Sequence, residues 1–332
     1  MATLYVTEPG ARIEKDYQRL LVTKDDEVLQ RVPLARVDQV VLVGRVGVTT
    51  PALLALLDAG VGLTLIAPNG RLRGRLMPPI SLHAPLRRAQ YEVEQDADFC
   101  LAFARAVVRG KLVNSRTMMR RLLRRRRKED LPEHLLQRVQ DGLDAAEQAD
   151  SLDALRGIEG AAARAYFGFL RASLRVEMGF ARRARRPPPD PVNALLSLGY
   201  TLLGAAMISA LDVVGLDPYV GFFHADKYGR PALALDLIEE FRAPVVDSLV
   251  LTLVNKRLIE AHDFERGRGG GWYLNRHGSR VFYREFTDRL ETQVKHWTGR
   301  RFSYRKLLEV QARVAASVIR GKRPRYRPFA WW

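Results

Sequence analysis

Three stretches of this chain place ionisable side chains where a solvated surface does not account for them. His224 ends the apolar run Tyr219-Val220-Gly221-Phe222-Phe223 and precedes the turn residues Tyr228-Gly229-Arg230-Pro231. An imidazole in such a segment needs a partner, either as a hydrogen-bonded structural group or as a ligand. Close by in sequence, Leu235-Asp236-Leu237-Ile238-Glu239-Glu240-Phe241 puts Leu233, Leu237, Ile238 and Phe241 on one helical face. Asp236 and Glu239 are three apart, so on a helix they are neighbours. Two such carboxylates repel unless a cation sits between them, although the same pattern also suits the wet side of an amphipathic helix. Glu159 lies in Gly157-Ile158-Glu159-Gly160-Ala161-Ala162-Ala163, where small residues allow another helix to approach. A carboxylate at such a seam must be paired or metal-bound. Arg156 and Arg164 are the local alternatives for a salt bridge.

The wider composition points to an anionic partner. Among 332 residues, 54 Lys and Arg face 37 Asp and Glu, a formal charge of +17. Such an excess favours an anionic partner, nucleic acid or an anionic membrane surface, with nucleic acid the preferred reading. The positive charge is concentrated in three places. Arg120, Arg121, Arg124, Arg125, Arg126, Arg127 and Lys128 form the first, and Arg182, Arg183, Arg185 and Arg186 the second. The third is the tail from Arg320 to Trp332, whose arginines alternate with Tyr326, Phe329, Trp331 and Trp332. Arginine reaches phosphates and aromatic rings stack on bases, but such a tail also suits docking on a partner protein. The Gly-rich run 267–271 lacks the Lys-Ser/Thr of a phosphate loop and reads as a flexible connection. Cys100 is the single cysteine, which excludes an internal disulfide and a multi-cysteine metal site. The first ten residues lack the charge and apolar core of a signal peptide, and the apolar stretch 192–214 carries Asn193, Ser197, Tyr200 and Asp212. It reads as a buried helix rather than a membrane span, so a cytoplasmic protein is expected.

The elements that must position these residues divide the chain. Short β-rich runs are predicted at 3–6, 19–23, 27–33, 39–43, 61–66 and 72–76, with Lys24-Asp25-Asp26 and Asn69-Gly70 as hairpin turns. A short helix is predicted over 50–59, with Thr49 or Thr50 as cap and Pro51 at its first position. After Pro78-Pro79 the apolar spacing becomes helical. Helices are predicted at 85–128, 131–147, 152–179, 191–213, 231–242 and 244–262, a two-stranded ribbon turning at His277-Gly278 within 272–282, then helices at 283–297 and 303–320. The fold class is therefore α+β: a small N-terminal β domain over 1–80 and a larger α-helical domain over 86–332, with the boundary near 78–86.

The ordered motifs carry a resemblance. Glu159-Gly160-x-Ala162-Ala163-x-x-Tyr166-Phe167, Pro191-x-Asn193-Ala194-Leu195-Leu196-Ser197-x-Gly199-Tyr200, Gly221-Phe222-Phe223-His224 and Leu235-Asp236-Leu237-x-Glu239-Glu240-Phe241-Arg242 follow one another. Leu86-Arg87-Arg88-Ala89-Gln90-Tyr91 and Gly110-Lys111-x-x-Asn114 fit as well, as does the N-terminal β unit. Over nearly the whole chain this pattern resembles the integrases of the CRISPR adaptation machinery, the Cas one family.

That resemblance implies a metal site of Glu159, His224 and Glu239, with Asp236 as a supporting acid and all four as catalytic residues. Some members carry aspartate where this chain has Glu239. Oxygen and imidazole ligands with open positions suit Mg²⁺ or Mn²⁺, though the same set also suits Zn²⁺ in a hydrolase acting on a small molecule. The implied activity is metal-dependent DNA integration and cleavage: attack by a DNA 3′-hydroxyl integrates, attack by water cuts. The implied partners are DNA (double-stranded, branched or with single-stranded ends), a second copy joined through the N-terminal region, and a small ferredoxin-fold protein of the Cas two family. The alternative is a non-catalytic basic DNA-binding scaffold whose acids form salt bridges.

Overall fold

The computed structural model describes residues 2–67, 72–78, 83–125, 131–184, 187–224, 228–267 and 269–331. The Asn69-Gly70 turn, Pro79, Arg126, Arg127, Lys128, Arg185, Arg186 and Trp332 lie outside the described residues.

The N-terminal region builds two four-stranded sheets. In the first, β1 (Ala2–Val6), β5 (Val37–Val43) and β7 (Gly62–Ile66) run parallel, and β8 (Leu72–Leu76) joins antiparallel to β7. In the second, β2 (Arg12–Asp16), β3 (Arg19–Lys24) and β4 (Glu27–Pro33) form an antiparallel meander, with β6 (Gly47–Val48) beside β2. The hairpin turn expected at Lys24-Asp25-Asp26 is a two-residue turn of Asp25 and Asp26, with φ of 48° and 62°, and Lys24 pairs with Glu27 at the end of β3. α1 (Thr50–Asp58) starts at Thr49, whose hydroxyl accepts the Ala52 amide. Alternate residues such as Leu4, Val6, Ile13, Leu20, Val22, Val40 and Leu42 meet as one apolar cluster with Ala52 and Leu56 of α1. Strands β2 and β6 escaped the pattern, because Arg12-Ile13-Glu14-Lys15-Asp16 buries only Ile13 and β6 is two residues long.

The helical part follows as α2 (Ala84–Glu94), α3 (Ala97–Arg125), α4 (Glu133–Gln148), α5 (Leu152–Ser173), α6 (Pro191–Val214), α7 (Ala232–Phe241), α8 (Ser248–Asn255), α9 (Arg276–Glu291) and α10 (Tyr304–Ile319). α3 packs against α4, α5 and α7, and α6 against α7 and α10. Among the described residues, α6 is the one helix long and apolar enough to cross a membrane, yet 72% of its apolar window is buried inside the fold. It is the central core helix, started by Asp190 and stopped by Gly215 at φ 91°.

Several expected boundaries move. The single helix 85–128 breaks after Glu94, because Asp96 accepts the amides of Asp98 and Phe99 and starts α3 afresh. The helix expected to 179 ends at Ser173, where the Asn255 side chain takes the Ser173 carbonyl and the Arg175 amide. In place of a continuous helix 244–262, a π-helical segment Arg242–Asp247 joins α7 to α8, which ends at Asn255. The ribbon expected to turn at His277-Gly278 is a different hairpin: β10 (Trp272–Leu274) pairs with β9 (Phe264–Arg266). His277 and Gly278 belong to α9, whose start is fixed by Asn275 accepting the Gly278 amide. A second small hairpin, β11 (Gln293–Lys295) with β12 (Arg301–Ser303), precedes α10.

The aromatic residues of the basic tail anchor it in the core, while its Arg320, Arg323, Arg325 and Arg327 stay exposed. Tyr326 and Phe329 are buried, Phe329 completely. The Phe241 and Phe329 rings stack with centroids 5.6 Å apart, and the Arg121 guanidinium lies 3.9 Å from the Trp331 ring centre. The N-terminal sheets dock on the helices through polar contacts: Gln39 Nε2 donates to Ser209, Arg75 pairs with Asp212, and Glu8 pairs with Arg276 and Arg280.

Candidate metal centre

Three helices and one loop bring the site together. α5 presents Glu159, α3 presents Lys111, α7 presents Asp236 and Glu239, and the segment before α7 presents His224. That segment approaches α7 closely at Gly221, where a Cβ would stand 2.7 Å from both the Ala232 carbonyl carbon and its Cβ. A larger residue would push the His224 loop off the helix.

Asp236 organises the loop rather than the open site. Its Oδ2 accepts the amides of Phe222 (2.8 Å) and Phe223 (3.1 Å), and its Oδ1 accepts the His224 amide (3.0 Å). The same Oδ1 stands 2.7 Å from His224 Nδ1. A carboxylate there holds the Nδ1–H tautomer of a neutral ring and leaves Nε2 bare. Arg156 donates 2.9 Å to the Phe223 carbonyl, so it steadies this loop.

Nε2 of His224 lies 3.7 Å from Glu239 Oε1. Glu239 is almost fully buried, and Arg242 stands 3.0 Å from that same Oε1. The other oxygen, Oε2, is 2.7 Å from the Lys111 ammonium. Burial alone would raise the Glu239 carboxyl. The charges of Arg242 and Lys111 outweigh it and hold the group well below the usual carboxylate range. Lys111 also pairs with Glu159, its ammonium bridging the two carboxylates. Burial pulls the Lys111 ammonium down, but Glu239 and Glu159 more than offset it and the net shift is upward. Glu159 is therefore paired with Lys111, not with Arg156 or Arg164.

A second buried group supports the first. Asp247, in the π-helical segment, accepts the hydroxyls of Tyr166 (2.7 Å) and Tyr200 (2.5 Å). Arg242 stacks over Tyr200, 4.5 Å from its ring centre. Tyr166 and Glu159 share α5, and Arg242 reaches Glu239, so this network links three of the motif stretches. π-bulges recur at functional sites because they re-aim side chains without ending the helix. Asp247 and Lys111 were not singled out as site residues. Lys111 stood in the quoted motif Gly110-Lys111-x-x-Asn114, the one signal the sequence offered for it.

The sequence-derived trio is brought to one place, but not as closed coordination. Among the described residues, no three or more His, Cys, Asp and Glu side chains gather tightly enough to hold a metal ion. The donor set nonetheless fits a divalent cation. Two carboxylates already share a cation, and an imidazole is fixed through its far nitrogen in the manner of metal-bound histidines.

The basic clusters are placed with varied freedom. Arg120 and Arg124 are exposed toward the end of α3, about 14 and 20 Å along its axis from Lys111 near its middle. Arg125 is helical, and Arg121 is engaged with Trp331. Arg182 is exposed, whereas Arg183 is tied to Asn193 (2.8 Å) and Ser197 (3.1 Å) at the start of α6. His296 is buried against Gln311 and Thr298.

Known proteins resemble this chain in sequence and in fold. The CRISPR-associated endonuclease Cas1 3 of Thermus thermophilus is 40% identical, over 99% of this chain and 97% of its own. A casposase bound to an integration product superposes with a TM-score of 0.87 at 26% identity, covering 98% of this chain and 93% of that one. A Cas6-RT-Cas1–Cas2 complex contains a chain that matches with a TM-score of 0.82 at 26% identity, over 99% of this chain and 36% of that one. The family described as CRISPR associated protein Cas1 matches residues 4–288, and the chain belongs to it.

Proposed function

We propose that this chain is a divalent-metal-dependent DNA integrase and endonuclease that inserts short DNA fragments into a CRISPR array. The observation that carries this reading is the pair of carboxylates from α5 and α7, Glu159 and Glu239, meeting over one cation beside an oriented histidine. Glu159, His224 and Glu239 would hold Mg²⁺ or Mn²⁺. Bound there, the ion would polarise the scissile phosphodiester and help activate the attacking oxygen. Asp236 keeps the imidazole turned, and Arg242 fixes the Glu239 carboxylate through its Oε1. A DNA 3′-hydroxyl as attacking group gives integration, and water gives cleavage.

The formal charge of +17 supports a DNA partner. So does the integration product bound by the casposase of similar fold. The complex that contains Cas2 supports a small ferredoxin-fold partner of that family. β4 exposes Val28 and Leu29 at a sheet edge, a surface suited to a second copy.

One observation favours the second reading, a non-catalytic DNA-binding scaffold: the acids already have cationic partners in Lys111 and Arg242. Branched and linear DNA incubated with Mn²⁺ separates the two. The Glu159→Ala, His224→Ala and Glu239→Ala variants should all lose product while keeping fold and DNA affinity. Cleavage at the wild-type level in His224→Ala would overturn the site, and wild-type protein without product would favour the scaffold.

A further inference from the structure

Lys111 holds the position that a metal ion would need. Its ammonium stands between Glu159 and Glu239, 2.7 Å from Glu239 Oε2. The cluster is already near electrical balance, because Arg242 also lies against Glu239. Adding a dication to that arrangement builds up positive charge, which costs free energy in a partly buried site. Two events relieve it: Lys111 withdraws from the carboxylates, or an anion arrives.

The helices themselves cannot easily part to make room. One turn beyond Lys111, Asn114 donates to the Glu240 carbonyl at 2.6 Å and to the Phe329 carbonyl at 2.9 Å. At Gly110 a Cβ would stand 2.6 Å from Pro328 and 3.3 Å from Glu240 Cβ. α3 is thus clamped to α7 and to the tail on both sides of Lys111. The lysine stem is flexible and its side chain is 16% exposed, so side-chain rotation is the available movement.

We propose that Lys111 is an exchangeable internal cation, which competes with a divalent ion for Glu159 and Glu239 and turns to a DNA phosphate when displaced, thereby coupling metal binding to DNA binding. The proposal rests on the metal-dependent reading above. It makes Lys111 a negative element for metal alone and a positive one for metal with DNA, a linkage that must be reciprocal.

The test is Mn²⁺ binding by the full chain, read from loss of the free-ion electron paramagnetic resonance signal, with and without a short DNA duplex. Lys111→Met should bind Mn²⁺ about tenfold more tightly than wild type in the absence of DNA, the scale of one unit of charge removed. Lys111→Gln, which keeps a hydrogen-bond donor, should shift in the same direction. Duplex DNA should raise wild-type Mn²⁺ affinity more than it raises that of either variant. Without Mn²⁺ both variants should melt below wild type, and Mn²⁺ should raise their melting temperature further. A lower melting temperature without tighter Mn²⁺ binding would mean an ordinary salt bridge and overturn the proposal. Glu159→Gln distinguishes the two layers. If it weakens Mn²⁺ binding while the lysine variants bind no tighter than wild type, only the role of Lys111 falls. If it binds Mn²⁺ as wild type does, the metal reading fails as well.

Discussion

Asp236 Oδ1 stands 2.7 Å from His224 Nδ1 while the same carboxylate accepts the backbone amides of Phe222, Phe223 and His224. One side chain therefore fixes both the path of the loop and the tautomer of its histidine. Asp236→Asn would turn an amide donor toward groups that are themselves donors. Mn²⁺ affinity or DNA cleavage should fall about 10- to 100-fold, the usual cost of losing an outer-shell partner. Asp236→Ala leaves buried amides unpaired and should cost roughly 3 kcal/mol or more of stability. Wild-type cleavage by Asp236→Asn would remove the residue from the site's support.

Asp247 gives the fold a pH dependence of defined sign. Burial raises its carboxyl to about 6, against the lowering effect of Tyr200, Tyr166, Arg242 and Arg183. The folded state thus holds a proton that the unfolded chain, titrating near the ordinary 3.8, has already released. The resulting stability is fully present below that value and is lost as pH rises to about 6. Denaturant midpoints of wild type and Asp247→Asn, measured between pH 4 and 8, isolate the effect. Their difference should move against wild type up to about 6 and then level off, and a constant difference would show that Asp247 does not titrate in this window.

The tail contributes to stability from inside. Phe329 is fully buried against Phe241, its amide donates 2.7 Å to Glu240 Oε2, and Tyr326 donates 2.9 Å to Glu240 Oε1. Phe329→Ala should cost about 3–5 kcal/mol, the range for removing a core aromatic ring. Equilibrium denaturation measures it. A tail that served only to dock on another molecule would leave the unfolding midpoint unchanged.

On the proposed reading, Arg120 and Arg124 are exposed phosphate contacts at the end of α3. Arg120→Ala with Arg124→Ala should weaken DNA binding at every sequence and lower the slope of log affinity against log salt by about one per arginine. Binding isotherms at several salt concentrations provide the measurement. An unaltered slope would take these two residues out of the interface.

The α+β class, the hairpin at Asp25-Asp26, the cap at Thr49, the extent of α6 and α7, and the three chemistry-bearing stretches were legible in the residues, because each depends on local pattern. Apolar periods of two and near four decide strand and helix, and caps and turns need particular side chains at particular positions. Where the pattern was weak or continuous, as at Arg12–Asp16 or across Glu94-Gln95-Asp96, it missed a strand and a break. The site needed the tertiary structure in a different way. Nothing local to Glu159 says that its partner is Lys111 from α3 rather than Arg156 or Arg164 on its own helix. Nor does anything local say that Asp236 faces the loop while Glu239, three residues on, faces the cation. The basic, aromatic tail read as surface because its residue types are those of surfaces. Its Tyr326 and Phe329 are core because Glu240, buried beside Glu239, offers both carboxylate oxygens to them. Composition and spacing determined which residues had chemistry to offer, and the packing of α3, α5 and α7 decided which of them share a charge. Electrostatic pairing depends on distance in space, and sequence separation does not encode it.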